Sequence, residues 1–207
     1  MKIYEFRGFP NPSRVRIALA EKGLIEQVSF ISVNVPEGEH RTPEFLAKNP
    51  WGAVPALELD DGTVISECTA ITEYIDHLDG QPSLTGRSAR ERAIIHMMQR
   101  RAESGLLDAA TDYFHHATPG LGPKLELNQN KAWGEARGER VGWTLRYLDS
   151  VLAQTPYLAG DAFSVADITA FVGLGFAEFA KIAIPEGLIH VDAWRRRVAE
   201  RPSVAAA

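Results

Sequence analysis

The chain contains a single cysteine, Cys68, among its 207 residues. One cysteine cannot form an internal disulfide, so the disulfide framework of small secreted domains is excluded, and a reducing compartment is the simplest setting. No apolar run approaches the ~18 residues of a transmembrane helix, and no charged-then-apolar leader is visible. We therefore expect a cytoplasmic protein that has no membrane partner.

The sequence also lacks a strong charge of either sign, since its net charge is −5. It offers no basic surface for nucleic acid or for an anionic membrane. The motifs CxxC and HExxH and the phosphate-binding glycine loop are absent, so neither a metal nor a nucleotide cofactor is predicted. With 45% hydrophobic residues, the chain has the composition of a globular protein with one large or two small domains.

The most informative pattern lies in residues 51–78. Two strand-like runs, at 56–59 and 63–66, flank the dipeptide Asp61-Gly62, which is typical of a hairpin turn because both residue types tolerate positive φ. After Glu67 the apolar period becomes helical, and one face of the predicted helix carries Ala70, Ile71, Tyr74, Ile75 and Leu78.

This change of period places Glu67 and Cys68 in the first turn of a helix. The first turn has unbonded N–H groups and the positive end of the helix dipole, which suit a carboxylate ligand, whereas Glu67 suits an ammonium group. An amino-acid-like head group carries both charges. The sequence therefore predicts that such a head group binds here.

The remaining pattern divides the chain into two predicted domains. Residues 1–79 predict the order β-α-β-α-β-β-α, with strands near 2–6 and 28–33 and a parallel βαβ unit at the start. Residues 80–87 have the Gly, Pro and Ser density of a linker. Residues 88–207 show no convincing strand and predict an all-helical domain, so the fold class is α/β plus all-α.

The predicted helical domain contains four long helices. The first carries one apolar stripe, and the others run over 131–152, from 164 to about 183, and over 191–200, where Pro202 ends the last one. Ser164 and Asp167 form a predicted capping box at the start of the third helix. The apolar stripe of the first helix consists of Ile94, Met98, Ala102, Leu106, Ala110 and Phe114.

Several stretches together resemble a cytosolic glutathione transferase. They are RVRIALAEKG at 14–23, GEHRTPEFLAKNPWGAVPALELDDG at 38–62, ISECTAITEYID at 65–76 and FSVADIT at 163–169. The resemblance covers essentially the whole chain and implies a thioredoxin-like domain followed by a helical one. The stretch HHATPGLGP at 115–123 resembles an atypical fungal and bacterial group that lacks the N-terminal catalytic Tyr, Ser or Cys.

The resemblance implies a role for individual residues in binding glutathione. Glu67 would take the γ-glutamyl ammonium and Cys68 the adjacent carboxylate, while Val54, before a cis-Pro55, would pair with the cysteinyl backbone. His40, with Arg41 or Lys48, would approach the glycyl carboxylate. An electrophile pocket would lie between the domains, against Phe9 and His115. The family also implies a homodimer that detoxifies small hydrophobic electrophiles, with glutathione as co-substrate and no metal.

How the thiol is activated stays open among three alternatives. In the first, which the resemblance to the atypical group implies, N–H groups of the first helix near Ser13 hold the thiolate, and a water held by Thr111 and His115 receives the proton; the atypical group has Ser where this chain has Thr111. Thr111 and His115 are four apart on one predicted helix, so their side chains can meet. In the second, Ser13 or Asn11 donates directly. In the third, Cys68 is a redox nucleophile; a helix N-terminus lowers a thiol pKa, but a neighbouring carboxylate raises it.

Two other functions remain alternatives to conjugation. One is a glutathione-dependent thiol transferase or peroxidase, and the other is a non-catalytic member of the fold that binds glutathione or other ligands. The missing N-terminal catalytic residue keeps the second alternative open, although Glu67, Pro55 and His40 favour real glutathione binding.

Overall fold

The structure is a computed structural model that describes residues 1–206. It divides into two compact units. Among the described residues, the first comprises Met1–Pro82 together with 202–206, and the second comprises Ser83–Arg201. The division predicted from the sequence, at 1–79 and 88–207, puts residues 202–206 in the helical domain, whereas in the structure they belong to the first unit.

The first unit is built on a four-stranded sheet in the order β2-β1-β3-β4. Strand β1 pairs parallel with β2 and antiparallel with β3, and β3 pairs antiparallel with β4. The predicted fold class is confirmed. The elements are β1 (Lys2–Glu5), α1 (Pro10–Glu21), β2 (Ser29–Ser32), α2 (Pro43–Leu46), β3 (Ala56–Glu58), β4 (Val64–Ser66) and α3 (Cys68–His77), with 3₁₀ turns at Ile25–Gln27 and Glu39–Arg41.

Helix α3 buries a narrower face than the sequence pattern predicts. Ile71 and Ile75 are fully buried in the core of this unit, together with Cys68. Ala70 and Leu78, which the pattern put on the same face, are exposed instead. Thr72 and Asp76 are buried in their place. The buried face of α3 is therefore rotated relative to the face that the apolar residues alone predict. The core also contains Ile3, Val15, Leu19, Val28 and Leu57.

The β3–β4 hairpin forms where it was predicted, with one correction to its turn. Only Gly62 adopts a positive φ, of 88°, and Asp61 instead uses its side chain, whose Oδ1 accepts the Thr63 N–H at 2.9 Å. The Leu59 N–H donates to the Thr63 carbonyl at 2.8 Å and closes the turn. Each strand is therefore one residue shorter than predicted.

The second unit is helical. Its helices are α4 (Ala89–Ala102), α5 (Asp108–Ala117), α6 (Lys131–Leu152), α7 (Val165–Phe179) and α8 (Ile189–Ala199). Helix α7 ends earlier than predicted because Lys181 adopts a left-handed φ of 60° and the Ile182 N–H returns to the Ala177 carbonyl. Helix α8 ends at Ala199, before Pro202 as predicted, and Pro202 itself begins a short further helix, α9 (Pro202–Ala205), that belongs to the first unit.

A π-helical turn at Glu103–Leu107 joins α4 to α5, where the sequence predicts one uninterrupted α-helix. A Cβ on Gly105 would lie 2.6 Å from Thr144 Oγ1, so the glycine permits the close approach of α6. The Arg137 guanidinium donates to the Ser104 carbonyl at 3.0 Å and to Asp112 at 2.7 Å. The wide turn is thus stabilised by a side chain from the neighbouring helix.

None of the helices in residues 1–206 combines the length and the apolar character that a membrane crossing requires.

The predicted capping residue Asp167 connects three segments of the second unit. Its carboxylate is fully buried and accepts the Ser164 N–H and hydroxyl, each at 3.0 Å. It also accepts the Leu158 N–H at 3.0 Å and the Trp194 indole N–H at 2.9 Å. One side chain therefore connects the first turn of α7, the loop before it, and α8.

We expect Asp167→Ala to lower the free energy of unfolding by about 3–5 kcal/mol, because it leaves several buried donors without an acceptor. Urea denaturation measures the change. Ser164→Ala, which removes a single hydroxyl donor, is the matched control and should cost about 1 kcal/mol. Equal losses in the two variants would contradict the central position of Asp167.

Candidate active site

Glu67 lies at the junction between β4 and α3 with an unusual backbone conformation. Its φ is 70°, and Lys181 is the only other non-glycine residue in the described chain with a positive φ. The side chain is exposed, and no side chain caps the helix that begins at the next residue. Strain held at such a position points to a function for the residue. An exposed carboxylate beside an uncapped helix N-terminus matches the predicted ammonium and carboxylate site.

Cys68 faces inward at this position. The residue is 6% exposed, its side chain belongs to the core of the first unit, and its thiol donates to the Asn11 carbonyl at 3.4 Å. This contact brings the first turn of α3 against the first turn of α1. A buried thiol engaged with a carbonyl is the environment of a structural cysteine, and it does not favour a redox nucleophile.

The first turn of α1 offers fewer N–H donors than the first alternative for thiol activation requires. Pro10 and Pro12 have no N–H, and the Ser13 N–H donates to the Phe9 carbonyl at 3.1 Å. The Ser13 hydroxyl donates to the same carbonyl at 2.9 Å. Asn11 therefore supplies the one backbone N–H of this turn that lies outside the helix ladder, and the expectation of several donors near Ser13 is wrong.

His40 lies in the 3₁₀ turn Glu39–Arg41 and is 7% exposed. Its Nδ1 atom is buried and has no hydrogen-bond partner in the described structure. Burial, and secondarily the charge of Arg41, lowers the pKa of the imidazole below its usual value of 6.5. The Nδ1 atom of His40 therefore has an unused hydrogen-bonding position.

Lys48 is already paired within the first unit. Its ammonium lies 2.6 Å from Glu58 Oε2 and 4.9 Å from the centre of the Tyr4 ring. Hydrogen bonds from Lys48, Lys2 and Tyr4 lower the pKa of Glu58 to about 2. The charge of Lys48 is therefore already balanced by the Glu58 carboxylate.

Val54 and Pro55 precede β3 and are joined by a cis peptide bond. The ladder between β3 and its neighbours begins at Ala56, so Val54 lies outside the paired part of the sheet. The backbone N–H and C=O of Val54 therefore lie outside the sheet ladder, where they could pair with an extended peptide ligand.

Thr111 and His115 lie one turn apart on α5, in the second unit. The Thr111 hydroxyl donates to the Leu107 carbonyl at 2.9 Å, which leaves its oxygen able to accept. His115 Nδ1 lies 2.7 Å from Glu126 Oε1. The side chain of His115 is about one-third exposed, at 35%. The pair has one hydroxyl oxygen and one ring nitrogen, Nε2, left for a water molecule.

Two family models match the chain. The model of the N-terminal domain of glutathione S-transferase matches residues 10–78, and the model of the C-terminal domain matches residues 112–202. The chain belongs to the glutathione S-transferase family.

Individual relatives agree with this assignment. Glutathione S-transferase 2 of Saccharomyces cerevisiae is 55% identical over 204 residues, which cover 99% of this chain and 88% of the yeast protein. The crystal structure of Gtt2 from Saccharomyces cerevisiae superposes with a TM-score of 0.97 at 55% identity, covering 99% of each chain. A glutathione S-transferase domain-containing protein from Marinobacter aquaeolei VT8 reaches a TM-score of 0.97 at 60% identity, covering 99% of this chain and 100% of that one.

The predicted family and the glutathione transferase activity are therefore confirmed. The alternatives of a thiol transferase, a peroxidase or a non-catalytic binder gain no support from these matches. The roles of individual site residues stay predictions, as does the absence of a metal. Within residues 1–206, no group of three or more His, Cys, Asp or Glu side chains is placed to hold one.

Two features of the helical unit of this glutathione transferase are not predicted from its sequence. Glu126 contacts His115, but the two are eleven residues apart across an irregular loop, and no periodic pattern connects them. An aromatic cluster joins Phe114, Phe176 and Phe179, with ring centroids 5.5–6.0 Å apart, and Phe179 is 68% exposed. Phe176 and Phe179, three residues apart near the end of α7, are the sequence signal that could have indicated the cluster.

The lowered pKa of His40 predicts how stability depends on pH. Below about pH 6.5 the unfolded chain protonates this histidine before the folded protein does, so its contribution to stability is present above that pH and is lost as the pH falls. Urea unfolding of the wild type between pH 5 and 8, compared with His40→Gln, measures this contribution.

As the pH decreases, the wild type should lose unfolding free energy relative to His40→Gln. His96→Gln, which replaces an exposed histidine, is the control and should follow the wild type. Parallel curves for the wild type and His40→Gln would contradict a buried neutral imidazole at position 40.

Proposed function

We propose that this glutathione transferase binds the γ-glutamyl end of glutathione at the start of α3. The Glu67 carboxylate takes the ammonium, and the first-turn N–H groups of α3 take the α-carboxylate. The observation that carries the proposal is the exposed Glu67 side chain, held at a strained φ of 70° beside an uncapped helix. The Cys68 thiol is turned to the Asn11 carbonyl, so Cys68 contributes to the site through its backbone.

The other end of glutathione is assigned to His40 and the segment before β3. His40 donates to the glycyl carboxylate and is supported in this role by its unused buried nitrogen. Arg41 adds positive charge, whereas Lys48 contributes less because Glu58 already balances its charge. Val54, at the cis bond to Pro55, pairs its main chain with the cysteinyl residue of glutathione.

For activation of the thiol, we favour the water-assisted alternative. A free thiol has a pKa near 8.5, and lowering it by about 2 units requires about 2.7 kcal/mol of preferential thiolate stabilisation. The Asn11 N–H and the dipole of α1 supply part of this stabilisation. A water held by Thr111 and His115 accepts the proton, and His115 retains a ring nitrogen for that purpose.

The direct alternative has a cost in this structure. For Ser13 to donate to the thiolate, its hydroxyl must leave the Phe9 carbonyl, to which it donates at 2.9 Å. That exchange replaces one hydrogen bond by another and reduces the net gain. The Cys68 alternative requires exposure of a thiol that is 6% exposed.

Once formed, the thiolate attacks an electrophilic carbon, and the sulfur–carbon bond forms as a leaving group departs or as a double bond accepts the electron pair. Binding supplies proximity, and the donors stabilise charge on the sulfur. We assign recognition of a hydrophobic electrophile to Phe9 and His115, and we add the aromatic cluster of Phe114, Phe176 and Phe179 on the helical unit. Aromatic surface of this kind favours flat, apolar substrates.

We further propose that the protein detoxifies its substrates, forms a homodimer and lies in the cytoplasm. These properties rest on the resemblance to the family. Sedimentation velocity tests the assembly, because a dimer has twice the 22.8 kDa mass of one chain.

We expect Glu67→Gln to weaken glutathione binding by about tenfold or more, since it removes the charge that pairs with the ammonium. Isothermal titration calorimetry measures the affinity. Glu73→Gln, on the same helix, is the matched control and should bind like the wild type. Unchanged affinity of the Glu67 variant would refute the proposed site.

The ultraviolet absorbance of bound glutathione against pH tests how the thiolate forms. We expect Thr111→Ala/His115→Ala to raise the titration midpoint by about one pH unit, and Ser13→Ala and Cys68→Ser to leave it within a few tenths. A rise in Ser13→Ala alone would instead establish a direct serine mechanism. A large effect of Cys68→Ser would favour the cysteine mechanism.

A further inference from the structure

We propose that Glu126 is a positioning residue for His115, which it holds with the proton on Nδ1 so that Nε2 is the proton acceptor. This inference rests on the proposed function of His115 and adds the group that fixes its tautomer. The carboxylate also provides a fixed negative charge beside the ring, which stabilises the imidazolium that forms when Nε2 takes a proton.

The hydrogen-bond geometry determines the tautomer. Glu126 Oε1 lies 2.7 Å from His115 Nδ1, and an ionised carboxylate can only accept hydrogen bonds. The proton of a neutral His115 therefore lies on Nδ1, and the lone pair lies on Nε2. The same Oε1 accepts the Leu121 N–H at 2.8 Å, which fixes the position of the carboxylate independently of the histidine.

The loop around Glu126 is shaped to admit the carboxylate. Glu126 has a side-chain exposure of 11%, and a Cβ on Gly120 would lie 2.2 Å from its Oε1. Gly120 also has a left-handed φ of 55°, and its N–H donates to the Thr118 hydroxyl at 3.0 Å. Gly120, the first of the two glycines in the HHATPGLGP stretch, is thus needed for Glu126 to reach His115.

Gln129 fixes the same loop without touching the imidazole. Its side-chain amide donates to the His115 carbonyl at 2.7 Å and to the Thr118 carbonyl at 2.6 Å. Loss of Gln129 would therefore loosen the loop and leave the Glu126–His115 hydrogen bond in place. This residue offers a control that separates loop order from ring orientation.

The adjacent histidine has the opposite arrangement. The Asn130 N–H donates to His116 Nδ1 at 3.0 Å, so this nitrogen carries no proton when His116 is neutral. His115 and His116 thus hold opposite tautomers, although they are neighbours on one helix. The contrast supplies an internal reference for a direct measurement.

Nitrogen-15 NMR of histidine-labelled protein tests the tautomer without reference to catalysis. At a pH where both rings are neutral, we expect His115 to carry its proton on Nδ1 and His116 to carry its proton on Nε2. Glu126→Ala should remove the preference of His115 for the Nδ1–H tautomer and leave the Nε2–H tautomer of His116 unchanged, whereas Gln129→Ala should change neither ring. A wild-type His115 protonated on Nε2, or a tautomer unaffected by Glu126→Ala, would overturn the inference.

A double-mutant cycle on the thiolate titration tests the consequence for chemistry. Glu126→Ala should raise the midpoint of bound glutathione by up to about one pH unit, and Glu126→Gln, which preserves shape, by less. In the His115→Ala background, Glu126→Ala should add almost nothing, because its effect passes through the missing ring. Gln129→Ala should titrate like the wild type.

The outcomes separate the two proposals. If His115→Ala leaves the midpoint unchanged, the proposed role of His115 fails. If His115→Ala raises the midpoint but Glu126→Ala does not, or if the two effects add in full, the positioning role of Glu126 is overturned.

Discussion

The buried carboxylate of Asp167 is the interaction on which the helical unit of this glutathione transferase most depends. Four donors from Ser164, Leu158 and Trp194 meet on its two oxygens, and each is buried with it. A charge without solvent is tolerated only when such donors surround it. The start of α7 is thereby fixed, and α7 in turn contacts α5 through Phe176 and Phe114, next to His115.

The first unit meets a different constraint at its ligand site. A helix N-terminus that is to receive an anion must leave N–H groups unbonded, yet α1 begins with two prolines that remove them. Helix α3 has no such restriction and no side-chain cap. In the proposed site, α3 therefore receives the carboxylate of the ligand, and α1 contributes one backbone donor to the sulfur. A thiolate supported by so few donors is consistent with a need for a separate proton acceptor.

Much of this organisation could be predicted from sequence because it is local. The change of period after Glu67, the hairpin at Gly62 and the capping pair Ser164 and Asp167 are each encoded within a few residues. The assignments that failed depend on contacts distant in sequence. Leu78 has the spacing of a core residue, yet it is exposed because Thr72 and Asp76 take part of the buried face.

The candidate site likewise contains residues that local sequence predicts and residues whose contacts are distant in sequence. Glu67 can be predicted because charge and helix start coincide, and the loss of donors at Pro10 and Pro12 follows from the sequence alone. The contact of Glu126 with His115 was not readable, since a loop of irregular conformation brings the two together. The engagement of Lys48 by Glu58 likewise depends on the register between a helix end and a strand.

The π-helical turn at Glu103–Leu107 has a consequence for the angular position of everything after it. Residues spaced by four advance about 40° around an α-helix at each step, so a strict four-residue stripe from Ile94 to Phe114 would wind to the opposite side. A π-helical turn contains one more residue than an α-helical turn, and it reverses much of that rotation. The π-helical turn therefore determines on which side of α5 Thr111 and His115 lie. Gly105 and Arg137 make this local unwinding possible. Deleting one residue from this turn would change the direction of the imidazole without altering any residue of the site.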